Sequence, residues 1–120
     1  MKFCWATLHV KNLEESIKFY EEVVGLEVST RFPAGPEMEI AFMGNDETKV
    51  ELLWNKNVKE VNMGSDISLG FTVDSVEDKI NFLKEKNIDI KSGPFAPNPH
   101  TKFFFIEDPN KLTIQFVEQK

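Results

Sequence analysis

Two histidines, one cysteine and a few polar groups embedded in apolar runs are the side chains of this chain most suited to chemistry. His9 lies in WATLHV, near the start of the chain. An imidazole there is suited to moving a proton near neutral pH, touching a substrate or binding a metal. It is equally well read as a strand histidine hydrogen-bonded to a neighbour. Glu51 lies between apolar residues in VELLW. A carboxylate so placed is a base, a metal ligand or an anchor for a cationic or polar group. His100 falls in the loop PFAPNPHTK, where it is a surface residue or a contact over a binding site. Cys4 is expected to be inert packing on an apolar face. No Gly-rich phosphate loop and no Ser-His-Asp spacing stands out.

The elements that position these groups are legible from periodicity. Residues 3–10 alternate as a strand, with Cys4, Ala6, Leu8 and Val10 on one face and Phe3, Trp5, Thr7 and His9 on the other. Asn12 then reads as a helix N-cap with Glu15 three residues on, and Gly25 as the C-cap. Three strands follow at 26–32, 37–43 and 48–54. The pattern recurs: a strand at 67–73, an N-cap at Ser75, a helical stripe through Val76, Ile80 and Leu83, then strands at 87–91, 101–107 and 111–118. At an offset of 63 residues, Val10, Asn12, Glu14, Ile17 and Phe19 meet Val73, Ser75, Glu77, Ile80 and Phe82. At 64, Val50, Glu51 and Leu52 meet Ile114, Gln115 and Phe116. A self-repeat of this length is a statement about topology. It predicts an α+β fold of two tandem βαβββ modules, 1–56 and 65–120, joined by a polar linker at 57–64.

Strand parity divides each sheet into a helix-covered apolar face and a mixed face. The mixed faces carry Trp5, Thr7, His9 and Glu51 in the first half, and Ser68, Gly70, Thr72, Thr113 and Gln115 in the second. With Phe103 and its aromatic neighbours, they predict curved mixed sheets lining an aromatic cleft, with helices outside.

Composition excludes other classes. A net charge of −6 with no basic stripe argues against nucleic acid and against anionic membrane surfaces. No apolar run approaches the roughly 20 residues of a membrane span, and no secretion signal is visible. One cysteine cannot form an internal disulfide, so a cytoplasmic setting is expected.

The segments VKNLEESIKFYEEVVGLEV, TKVELLWN, ISLGFTVDSVED and FFFIEDPNKLTIQFVE together resemble the vicinal-oxygen-chelate superfamily, which includes glyoxalase I, bleomycin-resistance proteins and extradiol dioxygenases. The resemblance spans almost the whole chain. It implies a U-shaped cleft, commonly in a homodimer. It also implies four metal-ligand positions, usually His, Glu, His and Glu; they fall here on Trp5, Glu51, Ser68 and Gln115.

Zn, Ni, Fe or Mn in such a site needs imidazole and carboxylate donors at roughly 2.0–2.2 Å. An indole offers no lone pair, and a neutral hydroxyl or amide is a poor ligand. His9 lies four residues beyond Trp5, about 13 Å along the strand, and is expected to be out of reach of the Glu51 side. The expectation is therefore no cofactor and a degenerate metal site. The ligand would be a small organic molecule, bound by Trp5, Thr7, His9, Glu51, Ser68, Thr72, His100, Phe103 and Gln115. Two alternatives stay open. One is a glyoxalase I-type lyase or isomerase, with a divalent metal on Glu51 and Gln115. The other is a metal-independent acid–base enzyme using Glu51 or His9.

Overall fold

The first helix starts where Asn12 stops being a strand residue. Its backbone is extended, and its Oδ1 accepts from the Glu15 N–H at 3.0 Å. Ser75 does the same for the second helix, accepting from the Asp78 N–H at 3.1 Å. Each such cap contributes about 1 kcal/mol by satisfying an orphan donor. In the computed structural model, which describes residues 1–120, these caps open α1 (Leu13–Phe19) and α2 (Val76–Glu85). A π-helical turn, Tyr20–Val24, continues α1. Gly25, at φ 92°, ends it, and the Leu26 N–H reaches back to the Tyr20 carbonyl at 2.8 Å.

The remaining elements are strands: β1 (Trp5–His9), β2 (Val28–Pro33), β3 (Met38–Met43), β4 (Lys49–Asn55), β5 (Ser68–Thr72), β6 (Ser92–Asn98), β7 (Thr101–Glu107) and β8 (Thr113–Gln119). They form two four-stranded sheets, ordered β1-β4-β3-β2 and β5-β8-β7-β6. In each, the first strand pairs parallel with the last and the other pairings are antiparallel. The fold is thus α+β, βαβββ followed by βαβββ. The chain divides into two compact units, Met1–Met63 and Gly64–Lys120.

In the first unit Leu8, Ala41, Met43, Val50 and Leu52 form one buried face with Ile17 and Tyr20 of the helical segment. In the second, Phe104, Ile106, Ile114 and Phe116 lie buried with Val76 and Leu83 of α2. Lys79 lies with its ammonium 4.5 Å from the Phe82 ring centre and 4.9 Å from that of Phe116. Burial holds its amine below the usual lysine range, and Lys86 adds to the effect.

Two expectations need correction. Residues 87–91 are not a strand. Asn87 adopts a left-handed conformation (φ 60°) and closes α2, with the Ile88 N–H on the Leu83 carbonyl at 2.9 Å. The pairing strand is instead the next segment, SGPFAPN. Its two prolines are tolerated because β6 is an edge strand, with bonding groups needed on one side only. Gly93 (φ 96°) is required there, since a Cβ would sit 3.0 Å from the Cβ of Phe104. Cys4 is exposed rather than packed. It precedes β1, and parity sets a residue's face but not how far along the strand the cover extends.

Candidate functional site

The uncovered face of the first sheet is built in rows. Thr7 pairs with Glu51, Glu51 with Phe42, and Phe42 with Thr30. The next row runs His9, Leu53, Ile40, Phe32. Trp5 and Lys49 lie on the other side of the Thr7 row. The Thr7 hydroxyl donates to Glu51 Oε1 at 2.5 Å. Trp5 meets Phe42 edge-on at 5.1 Å, and Phe32 stacks on Phe42 at 6.3 Å. Trp5 is 46% exposed and Glu51 is half-buried. A carboxylate therefore stands in an aromatic surface that solvent and small molecules can reach.

The register corrects the reach of His9. Glu51 lies opposite Thr7, midway between Trp5 and His9. Each is one diagonal step from it, about 8 Å between Cα atoms. The separation of His9 from Trp5 along β1 therefore does not remove His9 from the Glu51 neighbourhood. His9 is exposed.

The uncovered face of the second sheet repeats the design with a different charge. Gln115 pairs with Gly70 and with Phe105; Val117 pairs with Thr72 and with Phe103; Thr113 pairs with Ser68. Phe95, Phe103 and Phe105 form an aromatic cluster with ring centres 5.6–6.4 Å apart. Gly70 leaves room for the Gln115 amide, whose Oε1 would lie 3.2 Å from any Cβ there. Lys91 donates to Thr113 Oγ1 at 2.9 Å and pairs with Glu107 at 3.6 Å. Ser68, Thr72, Phe103 and Gln115 thus share one face. His100 sits in the β6–β7 turn, where its backbone N–H donates to Asn98 Oδ1 at 2.8 Å, three residues before Phe103.

The residues that the sequence reading missed are Phe42 and Phe32, which set the aromatic floor beside Glu51. Alternation in MEIAFM carried that signal, since Ala41 and Met43 are buried and Phe42 faces the other way.

The donor set does not fit a divalent metal. Glu51 is the one carboxylate among Trp5, Glu51, Ser68 and Gln115, and nowhere do three His, Cys, Asp or Glu side chains gather in a group that could hold an ion. A concavity of about 270 Å³ lies on the helix side of the first sheet, between Lys11, Glu14, Arg31, Glu39 and Trp54. There the Arg31 guanidinium is held by Glu14 and by Glu39, the latter at 2.6 Å. The hydrogen bond and charge of Arg31 hold the Glu14 carboxyl below its usual range.

The chain is similar in sequence to a lactoylglutathione lyase of Neisseria meningitidis serogroup A, at 29% identity over 100% of this chain and 92% of that protein. Its fold is that of the trypanothione-dependent glyoxalase I of Leishmania major, with a TM-score of 0.85 at 20% identity, over 98% of this chain and 86% of that one. It is also that of TnmS3, an antibiotic binding protein from Streptomyces sp. CB03234, with a TM-score of 0.78 at 18% identity, over 100% of this chain and 97% of that one. A family model, the Glyoxalase/Bleomycin resistance protein/Dioxygenase superfamily, matches residues 2–116. Duplicated βαβββ topology, shared sequence and a match over nearly the whole length agree, and the chain belongs to that superfamily.

Proposed function

We propose that this protein binds a small organic molecule over its aromatic sheet faces, and that it does so without a divalent metal. The observation that carries this reading is the donor set. The positions that the family resemblance assigns to metal ligands hold an indole, a carboxylate, a hydroxyl and an amide, so one charged donor stands where the family usually has two carboxylates and two imidazoles. Each sheet by itself offers an aromatic surface suited to flat apolar groups, Trp5, Phe42 and Phe32 on the first and Phe95, Phe103 and Phe105 on the second. The likeness to an antibiotic binding protein supports a binding role. We place the protein in the cytoplasm, where its one free, exposed cysteine stays reduced, and take the homodimer from the family resemblance. No helix is long and apolar enough to cross a membrane.

A second reading is favoured by the relatives named lactoylglutathione lyase, which match the whole of this chain. In that reading the protein is a lyase acting on the same thioester. Formation of lactoylglutathione from glutathione and methylglyoxal, assayed with and without added Ni, Zn, Fe or Mn, separates the two. The binding reading predicts no turnover above background under any of these conditions. Turnover that depends on metal and vanishes in Glu51→Ala overturns it.

A further inference from the structure

We infer that the first sheet selects organic cations: an amine or quaternary ammonium joined to an aromatic body, its charge on Glu51 and its body over Trp5, Phe42 and Phe32. This rests on the binding role proposed above and names the class of ligand. Glu51 is half-buried and has no Lys, Arg or His nitrogen within ion-pair distance. Its protein partner is one hydroxyl, on Oε1. A carboxylate accepts several hydrogen bonds, so Oε2 and the remaining lone pairs are left for a ligand's N–H groups.

The surroundings point the same way. The other titratable side chains on that face are Lys49 and His9, and the Lys49 ammonium is turned to the Asp46 carbonyl at 2.9 Å. Trp5 meets Phe42 at 74° and 5.1 Å, so aromatic faces of both orientations flank the carboxylate. Ring faces are electrostatically negative and attract cations. An anionic ligand would meet repulsion from the carboxylate and the rings together. The net charge of −6 favours the approach of cations over longer range.

The second unit supplies an internal contrast. At the corresponding register its sheet carries Gln115, neutral, opposite Gly70, where the first carries Glu51 opposite Thr7. The aromatic groups are repeated, and the carboxylate on the second sheet, Glu107, is paired with Lys91 at 3.6 Å. Charge selection is therefore a property of the first sheet alone.

The test is an NMR titration with three probes of one shape: 2-phenylethylammonium, 2-phenylethanol and phenylacetate, each added to wild type and to Glu51→Gln. We expect the ammonium to bind on the order of tenfold more tightly than the alcohol. It should shift the Trp5 indole N–H and lose that advantage over the alcohol in Glu51→Gln. Added salt should weaken the ammonium and not the alcohol in wild type, which tests the inference even if the variant does not fold. If the alcohol binds as tightly as the ammonium and neither salt nor the variant matters, the cation inference fails and the binding role stands. If none of the three binds at millimolar concentration, both fail.

Discussion

At the scale of single residues, Glu51 and Asp108 show two ways of placing a carboxylate. Glu51 takes one hydroxyl at 2.5 Å and leaves the rest of its accepting capacity open. Asp108 is buried and spends its capacity on the backbone, with Oδ1 accepting from the Asn110 N–H at 2.8 Å and the Leu112 N–H at 2.9 Å. It thereby holds the Asp108-Pro109-Asn110 turn that joins β7 to β8 and sets the register of Gln115. Asp108→Ala leaves two buried donors unmet. It is expected to lower unfolding free energy by about 2 kcal/mol in urea titration, with a smaller loss for Asp108→Asn, which keeps an acceptor. The sequence made the face of each site residue legible, because alternation in a strand is strict. It did not make their mutual distances legible. Those depend on which residue of β4 lies opposite which residue of β1, and this register, not the spacing along β1, sets the reach of His9.

Among the elements, the helix caps, the C-cap glycine and seven of the eight strands could be read from the residues, because each rests on local chemistry. The edge strand β6 could not. Its prolines and glycine are turn residues by composition, and only its position at the sheet margin makes them acceptable. The start of α2 depends in addition on a long-range group. Glu118 Oε1 of β8 accepts from the Val76 N–H at 2.9 Å. That hydrogen bond, with help from Lys120 and Lys102 and against some cost of burial, holds the Glu118 carboxyl below its ordinary value of 4.5. A carboxyl depressed on folding contributes stability above its unfolded pKa and loses it as pH falls through the folded one. The contribution of Glu118 is therefore complete at neutral pH and declines below about pH 4.5. Glu118→Gln should be less stable than wild type at pH 7. The gap should narrow toward pH 3, as measured by urea midpoints at both pH values.

At the scale of the whole molecule, duplication explains both the fold and the asymmetry of the candidate site. Two copies of βαβββ keep the same strand order and the same helix-covered apolar face, so the repeat could be seen at a fixed offset in the sequence. What diverged is the uncovered face. One copy has Trp5, Thr7 and Glu51, and the other has Ser68, Gly70 and Gln115. Fold conservation with altered site chemistry is how one architecture hosts metal enzymes and binding proteins alike. The central claim is that this chain's donors no longer hold a metal. The most direct measurement is the metal content of the protein purified without chelator, determined by inductively coupled plasma mass spectrometry for wild type and Glu51→Ala. The account predicts Ni, Zn, Fe and Mn far below one ion per chain in both. One ion per chain in wild type, lost in Glu51→Ala, would contradict it.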